Sequence, residues 1–310
     1  MIEISAGKTM STGGVALSLR GNILLLITAF IWGTTFVAQQ TGMDKIGPFT
    51  YAAARYFLGT ISLLILWLAV SGRRKRAKEI GTYHSGWMAG IGGGLLLFIA
   101  SSLQQVGIQY TTVGKASFIT CLYIVMVPIF AIMLGHKLRL ENAVGALLAI
   151  AGLYFLCIHE SLSLEKGDFL VFLSSFFWTA QILFIDRFAS TVDNIDLALG
   201  QTVVTFIFSV AAMLFFERFV IEDVISMSVS IAYAGVLSTG VAYTLQIIGQ
   251  RYAEPAAASI IMSLESVFGA LGGWVVLGQG LEGRELLGCM LMFSGTIVTQ
   301  LSVLMKKKKV

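Results

Sequence analysis

The sequence predicts an all-α integral membrane protein with ten transmembrane helices, arranged as two inverted five-helix repeats. Hydrophobic residues make up 56% of the chain and charged residues only 12%, with a mean hydropathy of +0.84, whereas soluble domains carry about 25% charged residues. The apolar residues fall into ten stretches close to the roughly 20 residues that a spanning helix needs, and the second half of the chain repeats the first. Because each repeat has an odd number of spans, the second copy must enter the membrane upside down. This arrangement is typical of secondary transporters.

Each half of the chain contains five predicted spans. Those of the first half cover residues 22–40, 49–70, 86–109, 113–134 and 142–158, and those of the second half cover 168–186, 195–216, 229–250, 255–277 and 285–305. They define an N-terminal tail (1–21), a first repeat (22–160), a connector (161–167), a second repeat (168–305) and a basic tail (306–310). Residues 1–20 are too polar for a signal-peptide core, so we expect the first span to be an uncleaved helix.

The duplication is clearest where residues 107–134 match residues 249–276 without a gap. A second match places Trp32 and the three residues before it over Trp178 and its preceding residues. Shared glycines and aromatic residues in the same order carry more weight than shared apolar residues in membrane segments. The aligned pairs are Gly107 with Gly249, Tyr110 with Tyr252, Ser117 with Ser259, Tyr123 with Glu265, Gly145 with Gly288, and Gly152 with Gly295.

The basic residues predict the side of the membrane on which each loop lies. With the N-terminus inside, 15 of the 21 Lys and Arg residues lie on the cytoplasmic side and 4 on the opposite side, while Arg55 and Lys115 lie within spans. Short cytoplasmic loops are enriched in Lys and Arg, so we expect both termini on the cytoplasmic side of the cell (inner or plasma) membrane. The run at residues 306–309 is then expected to contact lipid headgroups, and no nucleic-acid partner is expected because the basic residues form no single patch.

Several motifs resemble those of the EamA-type branch of the drug/metabolite transporter superfamily. They are the Phe-Ile-Trp ending at Trp32, Arg55 within Ala-Ala-Arg-Tyr-Phe, Pro128 within Val-Pro-Ile-Phe, and a Leu-Gly-x-x-Leu turn before a glycine-rich last span. Ser263-Leu-Glu-Ser266 is similar to the family's Leu-Glu-Pro segment with Ser in place of Pro, and Gly278-Gln-Gly280 departs from the frequent Gly-Glu. The resemblance covers about residues 22–304. It implies ten helices in two inverted repeats and transport of small metabolites, but the family's substrates range from amino acids and sugars to amines and drugs.

Glu265 is the strongest single candidate for a functional residue. It lies ten residues after Pro255, which at a 1.5 Å rise is about 15 Å into its span and near the membrane midplane. A carboxylate there costs about 2.5–3.5 kcal/mol on insertion scales, so we expect it to face a cavity or a partner. It could couple transport to protons or pair with a cationic substrate group. The alternative is a structural carboxyl group that hydrogen-bonds between helices.

Other polar and aromatic residues within the spans complete the predicted substrate cavity. Trp32 and Trp178 occupy equivalent repeat positions and could form cavity walls, although packing between helices would explain them nearly as well. Lys115 and Arg55 are expected near the outer ends of their spans, where each either snorkels to the interface or attracts an anionic substrate. Pro128 is expected to kink the fourth span. The full candidate set is Trp32, Gln105, Lys115, Tyr123, Trp178, Gln181, Tyr243, Gln246 and Glu265.

These observations favour a secondary transporter, more specifically an exporter, of a small metabolite such as an amino acid, working by alternating access. The sequence shows no nucleotide-binding motif, so an ion or substrate gradient is expected to supply the energy. A membrane-embedded enzyme would need several acidic, His or Cys groups that converge, a channel would need a ring of like side chains, and a receptor would give no reason for buried ionisable groups. The isolated Cys and His residues predict no metal or cofactor. The expected partners are the substrate and membrane lipids, and a monomer or a homodimer would be compatible with two repeats in one chain.

Overall fold

The computed structural model describes residues 12–111, 113–158, 165–277 and 282–307, and all regular structure in these ranges is helical. The predicted tail up to residue 11, most of the predicted connector, residues 278–281 and the last three residues of the basic tail lie outside the described ranges. So does the side chain of Lys115, although its backbone lies in a helix.

The helices follow one another with few intervening residues. In the first half they are α1 (Thr12–Gly42), α2 (Pro48–Ala69), α3 (Ser71–Glu79), α4 (Trp87–Ile108), α5 (Val113–Thr120), α6 (Tyr123–Met133) and α7 (Leu140–Cys157). In the second half they are α8 (Lys166–Phe188), α9 (Asn194–Phe216), α10 (Ile221–Ser226), α11 (Ser228–Ala232), a π-helix (Tyr233–Ala242), α12 (Tyr243–Gln250), α13 (Pro255–Met262), α14 (Glu265–Leu277) and α15 (Gly283–Lys307).

Within the described ranges, nine helices are long and apolar enough to cross a membrane, and they correspond to the first nine predicted spans. The fourth combines α5 with α6, the eighth combines α11, the π-helix and α12, and the ninth combines α13 with most of α14. At the position of the tenth predicted span, α15 runs for 25 residues and packs along α7. The first helix begins at Thr12, before the predicted start at residue 22, because helical structure continues beyond the apolar part of the chain.

Spans four and nine are each interrupted near their middle. The breaks fall at residues 121–122 and 263–264, where the N–H groups of Leu122 and Leu264 each bond the carbonyl three residues earlier at 3.2 Å, as in a 3₁₀ turn. Pro128, which is expected to kink span four, does not lie at this break but farther along, inside α6. Span nine breaks without any proline between its two helices, so the breaks have a cause other than a missing backbone donor.

Paired glycines bring helix backbones into direct contact. A Cβ atom on Gly145 of α7 would lie 2.7 Å from the carbonyl oxygen of Gly295 on α15, and a Cβ atom on Gly152 would lie 2.5 Å from that of Gly288. Real Cβ atoms are not found so close to a backbone oxygen, so only glycine permits this approach. Small residues at helix interfaces have this role in membrane proteins.

Two further glycine pairs join other helices in the same way. A Cβ atom on Gly21 of α1 would lie 2.8 Å from the carbonyl oxygen of Gly249 on α12, and one on Gly107 of α4 would lie 3.0 Å from that of Gly167 on α8. Each pair joins a first-repeat helix to a second-repeat helix. The two repeats are therefore interlocked along their length rather than packed through a single face.

The connection after α2 folds back onto the first turn of α9 through the side chain of Asp196, which is fully buried. Its carboxylate accepts hydrogen bonds from Trp67 Nε1 (2.8 Å) and from the Tyr83 hydroxyl, and Arg74 Nη1 lies 3.3 Å away. The Arg74 guanidinium also lies 3.9 Å from the centroid of the Trp67 ring. Burial raises the pKa of Tyr83, and its hydrogen bond to Asp196 raises it further. We call these four residues the Asp196 clasp.

The connection after α9 makes a related contact at the start of α2. Glu217 accepts hydrogen bonds from the backbone N–H groups of Phe49 and Thr50, both at 2.8 Å, and from the Thr50 hydroxyl at 2.6 Å. A carboxylate at a helix N-terminus satisfies backbone donors that have no partner within the helix and interacts favourably with the helix dipole. Each long connection therefore holds the second helix of the other repeat.

Candidate functional site

A buried cavity of about 50 Å³ lies where the interrupted spans meet α1, α2, α4, α8 and the π-helix. Its walls are mainly aromatic and amide side chains, with one carboxylate and one guanidinium. Ligand pockets usually measure about 300–1,000 Å³, so the free space in this central cavity is small. Its lining residues are Trp32, Phe36, Gln39, Arg55, Gln104, Thr120, Tyr123, Trp178, Ile182, Ser238, Tyr243, Gln246, Met262 and Glu265.

Six of the nine predicted site residues line this cavity. They come from both repeats and from five spans that are far apart in the sequence, as expected for a site between two packed halves. They are Trp32, Tyr123, Trp178, Tyr243, Gln246 and Glu265. The fold thus brings these side chains together.

Two other predicted site residues, Gln105 and Gln181, do not line the central cavity. Gln105 is buried against Met43, while its neighbour Gln104 lines the cavity and donates to Thr120 at 2.9 Å. Gln181 is fully buried behind the wall, where its amide exchanges hydrogen bonds of 3.2 and 3.4 Å with Gln246. The side chain of Lys115 lies outside the described residues.

Glu265 is 6% exposed and sits at the first position of α14, directly after the break in span nine. Its Oε1 atom accepts a hydrogen bond from the Tyr123 hydroxyl at 3.1 Å and a longer one from Cys121 Sγ at 3.6 Å. Tyr123 begins α6 in the same way, after the break in span four. The two breaks therefore bring the aligned residues Tyr123 and Glu265 into contact. Because a carboxylate only accepts while a carboxylic acid can also donate, protonation would change this contact.

Both tryptophans form part of the cavity wall. The Trp32 ring meets Tyr243 edge to face, with centroids 5.1 Å apart and an interplanar angle of 61°. The indole N–H groups of Trp32 and Trp178 are both buried and have no hydrogen-bond partner among the described residues. A buried donor without a partner costs about 1–3 kcal/mol, so these two N–H groups are unfavourable in the present arrangement.

The structure corrects the interpretation of Arg55 as a snorkelling side chain. Arg55 is 5% exposed and lines the central cavity, where its Nη2 atom donates to the Tyr56 hydroxyl at 3.2 Å. It is the eighth residue of α2, about 11 Å from the helix start at 1.5 Å per residue. The depth of Arg55 in its span could have been read from the sequence as evidence against snorkelling, since snorkelling is expected near helix ends.

A larger and more open groove of about 590 Å³ lies on the other side of α1. Thr34, Ala38 and Tyr233 are among its lining residues, and a 2.6 Å hydrogen bond joins the Thr34 and Tyr233 hydroxyls. No predicted site residue lines this groove. Among the described residues, no group of three or more His, Cys, Asp or Glu side chains is arranged to hold a metal ion in either place.

Comparison with known proteins identifies the family. The model of the EamA-like transporter family matches residues 19–158 and again residues 165–301. An uncharacterized transporter of Archaeoglobus fulgidus is 29% identical over 283 residues, which are 90% of this chain and 85% of the relative. The uncharacterized transporter YoaV of Bacillus subtilis is 23% identical over 289 residues, covering 87% of this chain and 93% of YoaV.

Two further comparisons support the same assignment. The uncharacterized inner membrane transporter YedA of Escherichia coli is 23% identical over 273 residues, covering 86% of this chain and 85% of YedA. A crystal structure, described only as that of a protein, superimposes with a TM-score of 0.76 at 20% identity over 93% of this chain and 97% of the other, which shows a shared fold. With both halves matched by the family model, the chain is a membrane transporter that belongs to the EamA-like transporter family.

Proposed function

We propose that the protein is a secondary transporter that exports a small metabolite, such as an amino acid, by alternating access between two inverted five-helix repeats. The observation that carries this proposal is a small central cavity lined by both repeats, with Trp32 and Trp178 at equivalent repeat positions. Its volume is well below that of ligand pockets in general. A substrate therefore needs one half to move against the other before it can enter or leave.

The inverted arrangement is supported by the pattern of glycine contacts. The sequence aligns Gly145 with Gly288 and Gly152 with Gly295, while in space Gly145 meets Gly295 and Gly152 meets Gly288. A two-fold rotation that exchanges the two repeats converts the contact between Gly145 and Gly295 into the contact between Gly288 and Gly152, as in an isologous interface.

The glycine pairs near the ends of the spans obey the same rule. Gly107 aligns with Gly249, and the offset that relates Trp32 to Trp178 also relates Gly21 to Gly167. In space Gly21 meets Gly249 and Gly167 meets Gly107. An approximate two-fold axis in the membrane plane, as in inverted-repeat transporters, would produce all four contacts.

The tenth span and the orientation complete the proposed topology. α15 is long enough to cross the hydrocarbon core at 1.5 Å per residue, and its glycine contacts with α7 extend along both helices. With ten spans and the basic residues on the inside, both termini lie in the cytoplasm. The connection after α2 is then cytoplasmic, and the connection after α9 is external.

Closure toward the cytoplasmic side is supported by contacts beyond the cavity wall. Gln250 is buried and donates to the carbonyl of Ile182 at 3.0 Å, and below it Arg139 pairs with Glu254 at 2.5 Å. His136 also lies 3.6 Å from Asp186. Export requires these contacts to separate when substrate enters from the cytoplasm.

We assign proton coupling to Glu265 because, among the described residues, it supplies the carboxylate that lines the cavity.

Counterflow in proteoliposomes tests the proposal. Vesicles containing the purified protein would be preloaded with one unlabelled amino acid, sugar, nucleoside or organic cation and then given the same compound radiolabelled outside. Accumulation of label with one class, absent from protein-free vesicles and from vesicles without internal substrate, is the expected result. If vesicles that contain the folded protein accumulate no labelled compound of any class, the proposed exchange cycle is wrong.

A further inference from the structure

Arg55 is a buried cation without a counter-charge. No carboxylate of a described residue lies within 4.0 Å of its guanidinium, whereas Arg74, the other buried arginine of the described chain, pairs with Asp196. The neighbours that interact with Arg55 electrostatically are the hydroxyl groups of Tyr51, Tyr56 and Tyr243. Charged side chains inside the membrane are expensive and normally pair or face a transport pathway. Arg55 faces the central cavity.

Three N–H groups of cavity-lining side chains have no hydrogen-bond partner among the described residues. Arg55 Nε is buried and has no hydrogen-bond partner among the described residues, and the same holds for the indole N–H groups of Trp32 and Trp178. The carboxylate of Glu265 does not pair with Arg55 and accepts instead from Tyr123 and Cys121. The cavity wall therefore carries a cationic guanidinium that no carboxylate of the described residues neutralises.

The packing of α2 does not require a charge at this position. A Cβ atom on Gly235 would lie 2.8 Å from the carbonyl oxygen of Arg55 and 2.7 Å from Leu58 Cβ. The matching contact in the other half places Gly94 against Gln201 and Val204, each at 2.7 Å. Because the offset from Arg55 to Gln201 equals that from Trp32 to Trp178, Gln201 is the repeat counterpart of Arg55. The neutral amide of Gln201 occupies the same backbone environment in the second repeat. The packing of α2 therefore does not need the charge of Arg55, which faces the central cavity.

We propose that Arg55 binds a carboxylate group of the substrate in the central cavity, whose wall includes Trp32 and Trp178. This inference rests on the proposed transport function, because it assigns the chemistry of the same cavity. A guanidinium binds a carboxylate through two parallel hydrogen bonds. The substrate class is a small carboxylate whose remaining part packs against aromatic side chains.

The test measures binding by thermal unfolding of the purified full-length protein in detergent, so it does not depend on transport. The probes are two matched pairs, benzoate with benzamide and L-leucine with L-leucinamide, titrated at constant ionic strength. A ligand that binds the folded state raises the unfolding temperature, and the rise grows with the logarithm of the ratio of ligand concentration to Kd. We expect each carboxylate to raise it and each amide to leave it nearly unchanged.

Arg55→Gln is the decisive variant because it installs the residue that the other repeat carries. We expect it to weaken carboxylate binding about 30-fold or more, as for the loss of one partner of a buried charge pair, and to equal or exceed the wild type in stability without ligand. Arg55→Lys keeps the charge but loses the paired geometry, so its affinity should be intermediate. Arg73→Gln on the exposed side of α3 is the control and should bind like the wild type.

Two results would overturn the assignment. Equal responses of the carboxylate and amide probes would show that the cavity does not select this group. A ligand-free Arg55→Gln protein that unfolds several degrees below the wild type would show that Arg55 supports the fold instead. Counterflow without carboxylate selectivity would support the transport function and show that Arg55 is wrongly assigned. Carboxylate-selective binding without counterflow would support the assignment of Arg55 and contradict the transport function.

Discussion

At the scale of single residues, the cavity combines one acid, one base and aromatic walls in a space too small for most metabolites. Glu265 and Arg55 lie on spans from different repeats, and both line the cavity without forming an ion pair. A substrate can therefore contact both charges at once. Because Glu265 changes its hydrogen-bonding capacity with protonation, it is the residue to which we assign the proposed proton coupling.

Glu265→Gln should separate exchange from proton coupling. The amide keeps an acceptor for Tyr123 but cannot bind and release a proton, so we expect counterflow to persist at a comparable rate. In the wild type, vesicles with an acidic interior should accumulate labelled substrate as protons leave, and the variant should not respond to the gradient. Uptake at several imposed pH gradients measures this.

The matched control is Glu222→Gln, at an exposed position in α10. It should behave like the wild type in both assays. A Glu265→Gln protein that still follows the pH gradient would show that proton coupling does not depend on Glu265.

Asp196→Asn should lower stability without touching the cavity. The change leaves Arg74 buried beside a neutral amide, and breaking one partner of a buried pair costs about 3–5 kcal/mol. We expect a lower unfolding temperature in detergent, with Asp44→Asn at an exposed site as control. Equal unfolding temperatures for the two variants would show that the Asp196 clasp does not stabilise the fold.

At the scale of secondary structure, the sequence located the spans but not their internal irregularities. Apolar length gave the first nine spans to within a few residues at most ends, since lipid imposes a narrow range of helix length. The breaks at 121–122 and 263–264 and the π-helix depend on contacts between spans, which periodicity does not contain. Gln104 and Gln105 illustrate the same limit in the site, because neighbours on a helix point about 100° apart and depth alone does not distinguish them.

The π-helix corresponds to one additional residue in the second repeat. Gly94 and Gly235 make matching contacts at one end of spans three and eight, while Gly107 and Gly249 do so at the other. The residue numbers differ by 141 between Gly94 and Gly235 and by 142 between Gly107 and Gly249, so the second repeat has one more residue between these two positions. The wider π turns take up this residue, and they contain Ser238 of the cavity wall. Such irregularities are frequent at functional sites.

The contact between α7 and α15 predicts a sharp difference between two glycines of the same helix. A Cβ atom on Gly288 would lie 2.6 Å from the carbonyl oxygen of Gly152, whereas one on Gly283 would meet nothing within 4 Å. Gly288→Val should therefore lower stability by about 1–3 kcal/mol or more through overpacking, and Gly283→Ala should have little effect. Thermal unfolding of both variants checks this, and similar values would mean that the helices do not touch there.

At the scale of the whole molecule, the proposed inversion predicts opposite locations for corresponding loops. Alkaline phosphatase, which is active only outside the cytoplasm, can be fused after Lys45 and after Arg187, which follow the first spans of the two repeats. It can also be fused after Lys75 and after Arg218, which follow the second spans. We expect activity only for the fusions after Lys45 and Arg218. The same outcome at corresponding points of both repeats would rule out inversion.

The extra residue of the π-helix has an energetic consequence for this arrangement. Two identical inverted halves would give the inward-open and outward-open forms equal free energies, since the two-fold operation would convert one form into the other. One added residue in span eight, and a charge at Arg55 where the other repeat has Gln201, remove that equality. A difference of only 1.4 kcal/mol shifts such a population about tenfold. If the proposed inverted-repeat mechanism holds, we expect the resting transporter to favour one side of the membrane before any gradient is applied.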